Sequence, residues 1–160
     1  MDVQAQNLKI SQILRKWKFI IPDYQRDYDW SIDWEINEFL ADIDESMDWE
    51  SYFVGHMVFE GVFNGNDFIV IDWQQRFTTI TILLCVIRDK FYDLGQTDLA
   101  IGINDNYIFG KDDRNRQFVI LENRMPYPLL QKVVQNIPQN KEDISPLNNW
   151  EKNIKILWIK

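Results

Sequence analysis

Apolar residues recur along this chain with two periods, one close to 2 and one close to 3.6, and the switches between them mark out its elements. Near the N-terminus, Ile10-Ser11-Gln12-Ile13-Leu14 reads as a short helix with Ser11 as its N-cap. Trp17-Lys18-Phe19-Ile20-Ile21 alternates and then turns wholly apolar, as a strand entering a core does, and Pro22 ends it. Ser31 is placed to cap the next helix, with Asp33 and Glu35 in its electropositive first turn. Ile32, Ile36, Phe39, Leu40, Ile43 and Met47 then step by three and four, so one face of that helix is core. The acids Asp42, Asp44, Glu45, Asp48 and Glu50 near its end read as a solvated face.

A β-hairpin is expected next. Its strands are Tyr52 to Phe59 and Phe68-Ile69-Val70-Ile71, with Asn64-Gly65 as a tight turn between them. From about Gln74 to Leu94 runs a long helix, the central structural element, with Gly95 as its stop. Phe77, Ile80, Leu84, Ile87 and Phe91 form its stripe, which Ile82, Leu83 and Val86 widen into burial on two sides. Beyond it the pattern weakens. Tyr107-Ile108-Phe109 and Gln117 to Leu121 can pair around the polar turn Lys111 to Asn115, and Pro128 to Gln135 suits a short helix. Gln139 to Asp143 is a solvated loop, after which Ser145-Pro146 opens a last helix striped by Leu147, Trp150, Ile154, Leu157 and Trp158. That face runs out at Lys160 without a cap, which leaves open a truncated chain, a missing partner or self-association as a homo-oligomer through this helix.

Composition narrows the class. The 160 residues amount to about one domain, read as a single unit over 1–160, and 46% apolar content with ten Phe, six Tyr and seven Trp belongs to a folded core. With 25 acids against 17 bases the net charge is −8, so there is no chain-wide basic field for DNA, and any nucleic-acid contact must be local. Cys85 is the lone cysteine; it excludes an intrachain disulfide and reads as a small buried hydrophobe in a reducing compartment. The N-terminus lacks a basic segment followed by an apolar one, and no apolar run is long enough to span a bilayer, so a cytoplasmic protein without membrane contact is expected. His56 is the lone histidine, a poor metal ligand without partners, and no nuclease site that needs two histidines can be built.

Two stretches carry chemistry. Asp72-Trp73-Gln74-Gln75-Arg76-Phe77-Thr78 follows an apolar strand and opens the long helix, which sets two amides and a guanidinium in a helix first turn. Unpaired backbone N–H groups and partial positive charge make that a seat for phosphate, and the arginine fork matches phosphate geometry. Equally, Asp72 can be a helix cap and Arg76 the partner of a nearby acid. The second stretch, Asp23-Tyr24-Gln25-Arg26-Asp27-Tyr28-Asp29-Trp30, is dense in groups that both stack and hydrogen-bond.

Together, Ile21-Pro22-Asp23-Tyr24-Gln25-Arg26-Asp27-Tyr28-Asp29-Trp30 and Ile71-Asp72-Trp73-Gln74-Gln75-Arg76-Phe77-Thr78-Thr79 resemble the DUF262 family. This is the ParB-like domain at the N-terminus of GmrSD-type modification-dependent restriction enzymes and related phage-defence proteins. Its pattern is Ile-Pro-x-Tyr-Gln-Arg-x-Tyr-x-Trp followed by Asp-Gly-Gln-Gln-Arg-Leu-Thr-Thr; Tyr52 to Met57 also looks like the family's strand. The resemblance covers nearly the whole chain, more loosely after Leu94. It implies an α/β (α+β) fold like that of ParB and sulfiredoxin, with a small mixed sheet and a long central helix. It implies binding and hydrolysis of an NTP with Mg²⁺, in a cycle that controls a nuclease domain or subunit, often of HNH type. By position, Asp72, Gln74, Gln75 and Arg76 would act on the phosphates. Tyr24, Gln25, Arg26, Trp73, Thr78 and Thr79 would line the adjacent nucleotide pocket, or contact modified DNA, and Asp72 could instead help hold Mg²⁺.

The chain departs from the pattern at two positions: Trp73 stands where the family has glycine and Phe77 where it has leucine. Glycine at such a corner permits unusual φ/ψ and close approach of a phosphate, which a tryptophan would obstruct. A degenerate member, a site that stacks a base on Trp73 and an introduced substitution all remain open. No nuclease domain is expected within these 160 residues, so any cleavage would come from another chain or from a missing part of this one. Three functions are therefore in play. The first is a nucleotide-binding sensor of a restriction or phage-defence system, with or without NTP hydrolysis. The second is a non-enzymatic module reading a DNA modification through Tyr24, Gln25, Arg26, Tyr28 and Trp30, and the third is a degenerate protein-interaction domain.

Overall fold

The computed structural model describes residues 5–15, 17–26, 28–46, 52–61, 65–124 and 129–138. In chain order these form α1 (Ile10–Leu14), β1 (Lys18–Ile21), a wide π-helical turn Ile32–Ile36 running into α2 (Asn37–Glu45), β2 (Val58–Gly61) and β3 (Asp67–Asp72). They continue with α3 (Gln74–Asp93), α4 (Thr97–Ile103), a second wide turn Asn104–Ile108, β4 (Phe109–Lys111), β5 (Gln117–Val119), β6 (Leu121–Asn123) and a third wide turn Leu130–Gln135. The class is mixed α/β, as the sequence led one to expect.

One four-stranded sheet, in the order β2-β3-β1-β6, forms the scaffold, and β4-β5 is a separate hairpin. β1 runs parallel to both β3 and β6, while β2 is antiparallel to β3. A central parallel strand is covered on both faces and therefore reads as a continuous apolar run. Phe19-Ile20-Ile21 satisfies that demand and is buried throughout. The Phe19 ring meets Phe59 at 4.7 Å, Phe77 of α3 at 4.9 Å and Phe68 at 6.1 Å, so sheet and helix interlock through one aromatic cluster. Such pairs contribute about 0.5–1.5 kcal/mol each beyond their buried area.

Several local expectations are corrected. α1 covers Ile10–Leu14 as expected, but its cap is Lys9, two residues before Ser11, and Gln12 Oε1 accepts the N–H of Lys9 at 2.8 Å. Ser31 does open the next helix, but its hydroxyl and N–H both donate to Glu35 four residues on, at 2.9 Å, because the first turn is a wide one. Those bonds hold the Glu35 carboxyl below its ordinary range. Along that helix Ile36 and Phe39 are buried whereas Leu40 is exposed; Met47, Asp48 and Glu50 lie outside the described residues. The hairpin β2-β3 is present, yet residues 52–57 are not part of its strand. Gly55 sits at φ +109, and the Val54 carbonyl is taken by a side chain rather than a neighbouring strand, so the ladder starts only at Val58. Asn64 lies outside the described residues.

Helix α3 ends at Asp93, with Gly95 left-handed at φ +71, as expected. The predicted stripe is realised only in part: Phe77 is buried, Ile80, Leu84 and Phe91 are half-buried and Ile87 is exposed, while Gln74, Gln75, Thr78, Thr79, Thr81, Ile82, Cys85 and Arg88 complete the buried positions. Thr79 and Thr81 tolerate this because they donate back to the Gln75 and Phe77 carbonyls, each at 2.9 Å. Arg88, fully buried, donates to the carbonyls of Val134, Gln135 and Asn136 and to Asn104 Oδ1, and thereby caps the C-terminal end of the turn Leu130–Gln135. Hydrophobic periodicity is blind to a buried polar residue that brings its own partners.

The expected pairing of 107–109 with 117–121 is realised as β4-β5, with the first strand shifted two residues toward the turn, so that Lys111 pairs rather than turns, and the second ending at Val119. Tyr107 and Ile108 belong to a helical turn, and the second run divides at Ile120. Ile120 donates its N–H to Ile108 O at 2.9 Å and accepts the Phe19 N–H at 2.7 Å, so the chain leaves the hairpin there and joins the main sheet as β6. Helix α4 had no counterpart in the sequence reading. The predicted helix after Ser145-Pro146, and with it the docking or self-association face, lies outside the described residues.

Candidate functional site

Because β1 and β3 are parallel neighbours, the loops that leave them emerge on the same edge of the sheet. In open α/β sheets the crevice outside the carboxyl ends of the strands is where ligands bind. Here the loop after β1 carries Asp23 to Trp30 and the exit of β3 carries Asp72 to Arg76, so the fold joins two stretches separated by more than forty residues. Amide side chains make the joint. Gln74 Nε2 donates to Arg26 O at 2.9 Å, Gln75 Oε1 accepts the Asp29 N–H at 3.1 Å, and Gln25 Nε2 reaches Val70 O and Ile71 O at 3.2 and 3.3 Å. Beneath them the Tyr28 hydroxyl bonds Thr79 Oγ1 at 2.7 Å. Burial pushes the Tyr28 hydroxyl far up from its ordinary pKa, so it stays neutral.

Between the two loops lies a cleft of ≈ 290 Å³. Its floor is the start of α3, Gln74 to Arg76; Asp72 and Ile71 form one wall, Gln25, Arg26 and Trp30 a second, and His56 stands on the rim. Phe77 is the first residue of α3 to bond back along the helix, to Trp73 O at 3.0 Å, and no side chain caps the helix. The N–H groups of Gln74 and Arg76 therefore have no intrahelical acceptor. Asp72 does not cap α3: its Oδ1 accepts the N–H of adjacent Trp73 at 2.7 Å. Arg76 is exposed and has no carboxylate partner among the described residues; its guanidinium lies 5.9 Å from the Trp30 ring centre. Arg26 pairs with Asp29 at 3.7 Å, but both are largely exposed, a contact of about 0–1 kcal/mol that leaves the guanidinium available. In a chain of net charge −8, the cleft thus gathers two arginines and the histidine against one carboxylate.

Trp73, in the family's glycine position, is left-handed at φ +83, ψ +11, the conformation that glycine adopts freely and that costs other residues about 1–2 kcal/mol. The indole does not fill the cleft. It is 6% exposed, packs on Phe77 with ring centres 6.3 Å apart, and donates Nε1–H to Val54 O at 3.1 Å.

Other site candidates are placed as follows. Gln25, Arg26, Asp72, Trp73, Gln74, Gln75 and Arg76 all border the cleft. Tyr24 stands on the loop after β1, 71% exposed and outside the lining. Thr78 and Thr79 are buried one turn below the floor. Gln74 is itself buried, and its Oε1 has no partner, an unmet acceptor at the edge of a cleft otherwise rich in donors. Sequence reasoning treats His56 only as a solitary histidine that makes no metal site; its place directly after Gly55 is the signal that could have found it. Trp30, expected as a DNA contact, walls the same cleft.

Strand, cleft and helix start define the class: a mixed α/β domain organised around one strand-to-helix crevice. The family model for the N-terminal domain of the GmrSD restriction endonuclease matches residues 8–158, and the chain belongs to that family, a domain of DNA restriction systems. No curated protein matches the chain. No helix among the described residues is long and apolar enough to cross a membrane.

Proposed function

We propose that this domain is the nucleotide-sensing part of a DNA restriction or phage-defence system, and that it binds an NTP with Mg²⁺ in the cleft at the start of α3. The observation that carries this reading is the coincidence of the helix-start N–H groups of Gln74 and Arg76 with the Arg76 and Arg26 guanidinium groups around one concave site. Phosphate oxygens would take the N–H groups and the guanidinium forks.

The residues also fit Mg²⁺ brought in by the ligand. That ion keeps several waters and uses one or two carboxylates besides substrate phosphates. Asp72 offers one carboxylate whose second oxygen is uncommitted, and no cluster of three or more His, Cys, Asp or Glu forms a resident metal site among the described residues. When bound, the ion would neutralise charge on the phosphates. The chain's own part is to position them and to hold fixed positive charge, which is most of what phosphoryl chemistry asks of a protein. Trp73 leaves the cleft open, which removes the steric objection to binding.

The test is a titration of the chain with GTP, ATP and CTP in the presence of Mg²⁺, following intrinsic tryptophan emission and phosphate release together. Saturable binding that Arg76→Ala weakens about tenfold or more is expected, since a charge-assisted contact contributes about 1.5–3 kcal/mol. Silence in both channels with all three nucleotides would refute the reading.

A further inference from the structure

Among the features outside the motif itself, the segment Tyr52–Met57 holds the most unexplained geometry. It has no ladder of its own, yet it is held at a defined place: Tyr52 Oη donates to Asp42 Oδ2 of α2 at 3.1 Å, and the Val54 carbonyl accepts Trp73 Nε1–H at 3.1 Å. Gly55 passes directly beside the start of α3. A Cβ there would lie 3.1 Å from Trp73 Nε1 and 3.3 Å from Arg76 Nη1, and the residue's φ of +109 is one that other side chains rarely adopt. This close passage delivers the next residue, His56, to the cleft rim, exposed and braced edge-on by the Phe53 ring at 5.2 Å.

We infer that His56 is a further phosphate-contacting residue of the cleft and that Trp73 is the positioning residue that puts it there. The inference rests on the nucleotide reading above and deepens it. A glycine at position 73 has no side chain with which to hold Val54, so in this chain the tryptophan acts as a latch: its indole N–H pins the 52–57 segment, and the segment presents an imidazole donor opposite Arg76 and Arg26. The charged groups that share the cleft with His56 are Arg26 from the loop after β1, Asp72 from the end of β3 and Arg76 from α3. The ligand chemistry that fits three such donors and one carboxylate is a polyphosphate chain carrying a divalent cation, whatever base it bears.

His56 is the chain's single histidine, so its ring gives one unambiguous imidazole signal in a proton NMR spectrum. The probe is inorganic tripolyphosphate with Mg²⁺, added to the full chain while binding is followed by calorimetry. A shift of the His56 ring signal that saturates with the calorimetric isotherm is expected. His56→Ala should weaken binding about five- to tenfold, the loss of one contact to a charged group, and His56→Gln should recover part of it by restoring a donor. Trp73→Phe, which keeps an aromatic ring but removes the N–H, should weaken binding by a similar factor. The double variant Trp73→Phe/His56→Ala should then be no weaker than either single one, because both changes break the same path. Binding with an unmoved His56 signal and an unaffected His56→Ala variant would overturn the inference alone. So would strictly additive losses in the double variant. No binding of tripolyphosphate by the unaltered chain would overturn the nucleotide reading and this inference together.

Discussion

Replacing Trp73 by smaller residues sets two structural terms against each other, and their order can be worked out in advance. The indole is nearly fully buried against Phe77 and bonded to Val54 O. Truncating such a side chain costs about 3–5 kcal/mol through lost burial and the cavity left behind. The backbone at φ +83 costs a non-glycine residue about 1–2 kcal/mol, which Trp73→Gly would relieve and Trp73→Ala would not. Against that gain stands the greater freedom of glycine in the unfolded chain, about 0.4–1 kcal/mol. Trp73→Gly should therefore destabilise by about 2–4 kcal/mol and still be the more stable of the two by about 0.5–1 kcal/mol. Trp73→Asn should fall between them, because Asn tolerates the left-handed region better than alanine. In an ordinary helical position the order is reversed, with alanine ahead of glycine by about 1 kcal/mol. Urea unfolding followed by far-ultraviolet circular dichroism reads the outcome. With m about 1–3 kcal/mol/M, the midpoint should drop by about 1–3 M for glycine and by a few tenths more for alanine, at unchanged m. An alanine variant as stable as the glycine variant, or more so, would refute the left-handed conformation as a feature that favours glycine at this position.

Three further outcomes follow from burial and charge. Arg88→Met removes the donors to three carbonyls and to Asn104 and leaves half-buried Asp89 without its 2.9 Å partner, so a loss of about 3–5 kcal/mol is expected; a thermal midpoint within about 2 °C of the parent would contradict the capping role. Tyr28→Phe should cost only about 1 kcal/mol, since Thr79 keeps its bond to Gln75 O, and chemical denaturation would show an error if the loss exceeded 3 kcal/mol. Burial raises the Glu122 carboxyl, but hydrogen bonds from Lys18 and Arg124 outweigh it and hold the group below its ordinary range. A carboxyl depressed in the folded state contributes stability above its unfolded pKa and loses it as pH falls through the folded value. Lys18→Met should thus move the acid-unfolding midpoint to higher pH while changing neutral-pH stability by less than about 1 kcal/mol, as a partly exposed pair would; an unchanged or lowered midpoint would count against the pairing.

Much of this domain was legible in the order of its residues. β1, the β2-β3 hairpin, the long helix with its glycine stop and the β4-β5 pairing all depend on local pattern: alternation, a three-four stripe, a residue that tolerates φ > 0. The family motifs were equally local, because each is a contiguous run whose chemistry shows in its residue types. What local pattern could not convey was which interactions would be made at a distance. That Gln74 and Gln75 brace the loop after β1, that Ile120 hands the chain from one sheet to the other, and that Arg88 lies at the core of α3 all depend on partners tens of residues away. The sequence marks Trp73 as an anomaly and leaves open whether it obstructs the cleft, stacks a base or is an introduced substitution. Only the tertiary structure decided where its side chain goes: the Val54 carbonyl waits on a neighbouring segment, so the indole turns into the core and the cleft beside it stays open. Periodicity determines which face a residue occupies, whereas a directional hydrogen bond from a side chain requires that its acceptor already be in place, and only the folded chain puts it there.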